Sequence, residues 1–463
     1  MLHRNAFCAI ALFFVTANAT ALEFGFESQL SASASDNVGA APSGEEVEGQ
    51  IGYGQIGVFG EQTGTRVTGA FSGELSSQRR LDDPDANYST VTQFLGAAEF
   101  KLTPRAFTWY VGDILGGVRT DNGIQSINDL DDRRRNVFVT GPRFEYEIDS
   151  FSRFNARFLY VNQSEDDVEL ESLYNASAGW EVDTSTGNTW GLQFGNIYTD
   201  NPVTNQEGDF NRFSLAATWR RERGRNSYEA QLGGTRYDTE EESINGLNAR
   251  LAWTRQLTQQ SNFTASLDRD LTDQTLNTIE TLFSDGTGLE EDGDGFFDET
   301  RLAFGYGFND ADTAIDLSIG ATLSEFRLLA DSTGQFQDGS AQDRTGAFAT
   351  ASYAQSLTAR TTLSLSANFE SQDFVNQRDE IQSVLGIATI GFKLTRSFEL
   401  VLGYRFNVSD GQRTIATDVG TAAESFALEP IDVVENRGTI TLIWAPPTRA
   451  SKDLTIELSS LLQ

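Results

Sequence analysis

Carboxylates are the reactive groups this sequence offers most freely. Their densest run is Glu290-Glu291-Asp292-Gly293-Asp294-Gly295-Phe296-Phe297-Asp298-Glu299. Closely spaced acids broken by glycines suit a hard cation with oxygen ligands. Asp292, Asp294, Asp298 and Glu299 are therefore the expected ligands if the segment holds calcium. The run does not match a full twelve-residue calcium loop, and a solvated acidic loop reads the same way. A second charged run, Arg133-Arg134-Arg135, follows Asp131 and Asp132. It suits the phosphates of lipopolysaccharide and equally an ordinary loop cluster.

Other chemistries are removed early. The one His (His3), the one Cys (Cys8) and the one Met (Met1) all lie at the N-terminus. There His3 and Arg4 precede an apolar run from Ala6 to Val15. Overlapping A-x-A sites follow, Ala17-Asn18-Ala19 and Ala19-Thr20-Ala21. This reads as a secretory signal over residues 1–21, cut after Ala21. The expected mature chain has no imidazole and no thiol. A Ser–His pair is excluded, as are His/Cys metal centres and disulfides. Acids are abundant but no pair stands out, so no catalytic residue, no cofactor and no enzyme is expected. The formal charge is −33 for the whole chain, and loss of Arg4 makes it −34. Nucleic acid is an improbable partner for such a surface.

The elements that must position any site have a period of two. Leu363, Leu365, Ala367 and Phe369 alternate with Thr362, Ser364, Ser366 and Asn368. Ile315, Leu317, Ile319, Ala321 and Leu323 alternate with Asp316, Ser318, Gly320, Thr322 and Ser324. Such runs recur from about Leu22 to Trp444. After the signal, no stretch approaches eighteen consecutive apolar residues, which excludes a helical membrane protein. One face is apolar and the other small, polar or charged. Apolar-out and polar-in is the pattern of a membrane barrel, where lipid forces every backbone group to pair within a closed wall.

The fold expected is all-β: a transmembrane antiparallel up-and-down barrel over residues 22–446, with a C-terminal tail over 447–463. Twenty strands are expected, centred near residues 29, 53, 71, 95, 112, 142, 158, 175, 194, 216, 232, 251, 267, 304, 320, 350, 367, 387, 404 and 440; eighteen is the alternative. Short connections such as Arg223-Gly224-Arg225-Asn226 are expected to interleave strictly with long ones such as 273–297 and 412–434. That parity puts both termini in the periplasm of a Gram-negative outer membrane. Phe100, Phe107, Phe154, Trp253, Phe263, Phe308, Phe392, Phe398 and Trp444 fall near the short turns and would form an aromatic girdle. The polar faces put Arg66, Arg143, Arg157, Arg220, Arg250, Arg301, Lys393 and Arg405 into the lumen. Facing them there are Glu99, Glu145, Asp268, Asp316 and Glu399. Such rows can orient a polar solute or simply pair with one another.

Two stretches carry a resemblance. Phe107-Thr108-Trp109-Tyr110-Val111-Gly112-Asp113 is followed by Asn136-Val137-Phe138-Val139-Thr140-Gly141-Pro142-Arg143-Phe144. An aromatic-x-Trp strand ending near Asp, then N-x-F-x-x-G-P, resembles the β-barrel porins encoded with exopolysaccharide and exosortase (PEP-CTERM) systems. The resemblance implies an outer-membrane barrel concerned with polysaccharide export, and it carries over no ligand-binding residue.

The expected function is thus a pore or export conduit for polar, exopolysaccharide-related material. A general diffusion porin is one alternative. The other is a non-conducting structural barrel whose acidic loops bind cations or surface polymers. A gated siderophore-type receptor would need a plug ahead of the barrel, and strands begin directly after the signal. Expected partners are outer-membrane lipid and lipopolysaccharide, the outer-membrane assembly machinery, which would read Trp444, and polysaccharide.

Overall fold

The computed structural model describes residues 23–446 apart from 39–43, 45, 84–85, 87, 104–105, 120–129, 166–167, 185–186, 201–208, 240–242, 274–294, 331–335, 339–342, 376–379 and 417–425. The expected signal and tail lie outside the described residues. The strands are β1 (Glu23–Ser35), β2 (Gly49–Thr63), β3 (Val67–Arg80), β4 (Ser89–Thr103), β5 (Phe107–Arg119), β6 (Leu130–Glu147) and β7 (Ser152–Glu165). Next come β8 (Val168–Asp183), β9 (Asn188–Asp200), β10 (Phe210–Arg223), β11 (Asn226–Thr239), β12 (Ser243–Gln256), β13 (Ser261–Asp273) and β14 (Gly295–Asn309). The last are β15 (Thr313–Ala330), β16 (Phe336–Asp338), β17 (Arg344–Thr358), β18 (Thr361–Phe374), β19 (Glu380–Lys393), β20 (Phe398–Ala416) and β21 (Phe426–Trp444).

Each wall strand pairs antiparallel with the next, and β15 pairs with β17 past the three-residue β16. β1 then pairs with β21, from Ser28 opposite Trp444 to Ser35 opposite Arg437. The wall is therefore a closed antiparallel barrel of twenty strands, and each of the twenty expected centres falls in its own wall strand. With strands about 4.8 Å apart and tilted by about 40°, such a wall is on the order of 40 Å across. Side chains alone cannot fill that width.

Register assigns every residue a face, because directly opposed residues share one. Leu30, Ile56, Leu75, Phe94, Val111, Leu215, Leu232, Ile319 and Ile440 lie on one face, and most are exposed by half or more of their surface. That face is the outer one. Arg212 of β10 reaches Asp270 of β13 from the other face, and Phe210 of β10 reaches Phe296 near the start of β14. Only the concave side of a closed wall lets residues three or four strands apart meet.

Aromatics sort along the barrel axis as well. All nine residues of the expected girdle lie on the outer face near the short-turn end. All six tryptophans, Trp109, Trp180, Trp190, Trp219, Trp253 and Trp444, do so too. Neighbouring rings touch: Phe26 and Trp444 are 5.0 Å apart and Trp253 and Phe263 are 5.7 Å apart. Indoles and phenyl rings prefer the membrane–water boundary, so the belt marks one such level.

The strict alternation of connection lengths is corrected. At the end carrying the long connections, β7 stops at Glu165 and β8 resumes at Val168; β11 stops at Thr239 and β12 resumes at Ser243. Closure and register set the even strand number; loop length does not.

The wall is creased where β6 meets β7. At Gly141 of β6 an added Cβ would sit 1.9 Å from the Phe158 carbonyl oxygen, so β7 comes too close for any side chain there. Next to it, Pro142 lacks an N–H to give the ladder, and the β6–β7 pairing skips both residues. The crease folds inner faces toward each other. Ala97, Val137, Val139, Leu159, Val161 and Leu173 form one buried apolar cluster there, backed by Leu95, Tyr110, Ile114 and Ile197. The two stretches that carry the family resemblance are the two halves of this region. Asn136 Nδ2 donates to Asp113 Oδ1 at 2.9 Å, Trp109 Nε1 donates to Thr140 Oγ1 at 3.0 Å, and Trp109 lies opposite Pro142.

Candidate functional site: the inner face and one narrowed mouth

Twelve of the thirteen residues expected in the lumen lie on the inner face: Arg143, Arg157, Arg220, Arg250, Arg301, Lys393, Arg405, Glu99, Glu145, Asp268, Asp316 and Glu399. Arg66 does not. It sits in the turn between β2 and β3, where its carbonyl accepts from Lys101 N, because the strand pattern stops at Thr63.

Several of these residues form one oblique ladder. Arg220 of β10 is 3.9 Å from Glu229 of β11, which is 3.8 Å from Arg250 of β12. Arg250 is 3.4 Å from Asp268 of β13, and Asp268 lies opposite Arg301 of β14. Arg301 in turn lies over the ring of Phe348, 4.6 Å from its centroid. Signs alternate strand by strand, and Arg220 and Arg250 keep about half their surface exposed. Exposed ion pairs contribute little to stability, typically 0–1 kcal/mol each. The ladder therefore leaves charged heads available to solvent in the lumen. Elsewhere Lys393 lies opposite Glu399, and Arg143 ion-pairs with Glu145 while donating to the Tyr110 hydroxyl at 3.3 Å.

The second feature lies toward the end with the long connections. The β12–β13 ladder stops at Ala249 and Arg269. Beyond it, the ends of β13 and β14 lean over the inner face of β10–β12. Leu271 is fully buried and packs with Phe210, Tyr237, Phe296 and Ile244. Phe296 is 4.7 Å from Tyr237 and 5.3 Å from Phe210. Gly246 makes this approach possible: a Cβ there would lie 2.4 Å from Leu271 Cβ. A polar clasp sits alongside. Arg212 Nη2 donates to Asp270 Oδ2 at 2.7 Å, Thr235 Oγ1 donates to Asp270 Oδ1 at 3.2 Å, and the guanidinium lies over the Tyr237 ring. This mouth is narrowed by packed strand ends.

Sequence reasoning missed Arg212, Tyr237 and Asp270 as one unit. The alternation did carry a signal, since Arg212 shares the register of Arg220, and Tyr237 that of Glu229. What it lacked was the departure of β13 from its ladder, which brings strands three apart together.

Of the expected calcium ligands, the two that are described, Asp298 and Glu299, are not brought to one point. Asp292 and Asp294 lie outside the described residues. Asp298 and Glu299 are neighbours within β14 and face opposite sides, because side chains alternate along a strand. Asp298 is buried and committed to cations of the protein: Arg327 Nε donates to it at 2.9 Å and Arg269 lies 3.6 Å away. The Arg133-Arg134-Arg135 run is part of β6, where Arg135 lies on the inner face opposite Gly116. Arg135 is therefore turned away from lipid; the side chains of its two neighbours are outside the described residues.

No protein-family model matches the chain, and no curated protein matches it. Solved structures do. The FrpB iron transporter from Neisseria meningitidis (F5-1 variant, apoprotein form) aligns with a TM-score of 0.51 at 9% identity, over 91% of this chain and 81% of that one. The F3-3 variant of that transporter aligns at 0.49 and 10% identity, over 94% and 83%. The siderophore receptor PirA from Pseudomonas aeruginosa aligns at 0.48 and 11% identity, over 92% and 81%. At such identities the likeness is one of fold, and the fold is the closed antiparallel barrel found in outer-membrane proteins.

Proposed function

We propose that this chain sits in a bacterial outer membrane and lets polar material cross through its lumen, with carbohydrate the class of cargo and secreted polysaccharide its source. The observation that carries this is the opposition of the two faces. The outer one exposes Leu30, Leu232 and Ile319, each by more than half; the inner one carries the ladder from Arg220 to Arg301. An apolar exterior of this size is stable only against lipid. A wall on the order of 40 Å across, lined with charged heads, suits hydrated cargo. The tryptophan belt at the short-turn end suits the periplasmic boundary, which would put both termini on that side and offer Trp444 to the assembly machinery.

Liposome swelling with neutral oligosaccharides, joined to single-channel recording on the purified barrel, tests the proposal. Swelling and stable conductance are expected. A barrel that inserts but neither conducts nor swells would be a structural barrel instead. Conductance with unchanged secreted polysaccharide after gene deletion would restrict the function to general diffusion.

A further inference from the structure

Away from the charged ladder, the inner face of β15–β19 carries short polar side chains. On one rung of the sheet Asp316 of β15 lies opposite Ser352 of β17, which lies opposite Ser366 of β18. On the next inner rung Thr350 of β17 lies opposite Asn368 of β18, which lies opposite Leu385 of β19. These six residues line one cavity of about 210 Å³. All but Leu385 are exposed, so the cavity opens on the lumen. It is smaller than the roughly 300–1,000 Å³ of sites for drug-sized ligands, and suits a single small ring. The next rung toward the long connections is taller, with Phe348 opposite Glu370. Phe348 is fixed there: a Cβ at Gly320 would lie 2.4 Å from Phe348 Cζ, and Arg301 lies 4.6 Å from the ring centroid. Among the described residues, the side chains of Asp316, Thr350, Ser352, Ser366 and Asn368 make no hydrogen bond or ion pair within the protein. Asp316 is the one charged residue lining the cavity.

We propose that this recess is a subsite for one ring of a neutral sugar. Directly opposed residues hold their Cβ atoms about 4.5–5.5 Å apart, and successive residues of one face lie about 7 Å apart. The polar groups are thus spread over a patch as wide as a sugar ring. The Asp316 carboxylate can accept from two adjacent ring hydroxyls, and such charge-assisted hydrogen bonds are roughly twice as strong as neutral ones. Asn368 offers both donor and acceptor, and the three hydroxyls offer either. Leu385 supplies an apolar contact for the C–H edge of the ring. The lining charge is negative, so a sugar acid meets repulsion there. A hard cation needs six to eight oxygens converging at about 2.3–2.6 Å, which one carboxylate among spaced hydroxyls does not give. The proposal rests on the conduit reading and names where its carbohydrate cargo is held.

The test is saturation-transfer NMR of glucose, and separately of glucuronate, with the purified full-length barrel in detergent. The parent chain is expected to show saturable transfer to the ring protons of glucose and several-fold weaker binding of glucuronate. D316A/N368A is expected to weaken glucose binding about tenfold or more, and S366F, which fills the recess, to abolish it. D316N keeps the shape but loses the charge. It is expected to fold like the parent chain, to bind glucose several-fold more weakly and to narrow the gap to glucuronate, and it carries the test if the other variants fail to fold. T218V, on the inner face of β10, is the control. Absence of saturable glucose binding, binding unchanged in D316N and S366F, or an equal loss in T218V would overturn the subsite. Glucuronate binding as tightly as glucose would overturn its preference for neutral rings. The measurement does not need conductance. A barrel that binds glucose but neither conducts nor swells would sink the conduit and spare the subsite, and one that conducts without saturable binding would do the reverse.

Discussion

Replacing Leu271 by Ala should loosen the narrowed mouth selectively. Leu271 is wholly buried, and its partners are Phe210, Tyr237, Phe296 and Ile244. Truncating a buried leucine costs about 2–5 kcal/mol, set by how far the neighbours collapse. Here collapse is limited, because Tyr237 and Phe296 already pack against each other, tilted, with centroids 4.7 Å apart, and Phe210 closes on both. The clasp of Arg212, Asp270 and Thr235 survives the change and holds part of the contact. A loss of about 2–4 kcal/mol in the closure of this segment is expected, with a tenfold change in population for every 1.4 kcal/mol. Opening of residues 269–273 should therefore become roughly 30- to 700-fold more frequent. Amide hydrogen exchange of that peptide in the detergent-solubilised barrel measures it directly. Exchange at the waist, for instance over 247–253, should not change. If the 269–273 peptide exchanges within a few-fold of the parent, the mouth is not held by this packing. If the whole barrel accelerates together, Leu271 supports global stability and the local reasoning fails.

Two further outcomes follow from single positions. Gly141→Val must push a side chain into the Phe158 carbonyl. Overpacking of this kind costs about 1–3 kcal/mol or more, so the thermal transition should fall by several degrees or folding should fail, and an unchanged transition would mean the crease can relax. Asp82, just past β3, accepts from Arg80 Nη2 at 2.7 Å and from Gln50 N at 3.0 Å, which hold its carboxyl at about 2 against an ordinary 3.8. Because the folded value is depressed, this tie is intact above about pH 4 and is lost as pH falls through 2; an NMR titration should show the low midpoint, and R80Q should move it back up, whereas an unmoved midpoint would remove Arg80 as the cause.

Much of the fold was legible because lipid leaves the chain so little choice. Alternation such as Leu363 to Phe369 against Thr362 to Asn368 states which residues meet lipid, and the same count predicts Arg250 and Asp316 on the opposite face. Local pattern could not show where neighbouring strands stop being neighbours. Gly141-Pro142 reads as a motif, but its meaning depends on how closely Phe158 approaches from the next strand. Asp298 reads as a loop ligand until β14 is seen to begin at Gly295, and then its partners are Arg327 and Arg269. Arg66 was placed one strand end too far by the same local logic. Each miss concerns a contact set by curvature or by strand ends, quantities that period two does not encode.

The seam between β1 and β21 has a consequence for how the barrel is made. Every other ladder of the wall joins strands that follow one another in sequence, so each can form while its loop is short. Among the described residues, the seam alone pairs residues some 400 positions apart, as Asp36 and Asn436 do at its edge. Its ladder runs over only eight pairs, Ser28 to Ser35 against Arg437 to Trp444. The entropy of closing a loop grows with its length, and nonlocal pairing slows folding. Hairpins should therefore accumulate early as an open, curved sheet with two unsatisfied edges, and a single late event should zip them shut. The lifetime of that open sheet, more than the strength of any one strand pair, would set how often the chain aggregates before it is sealed.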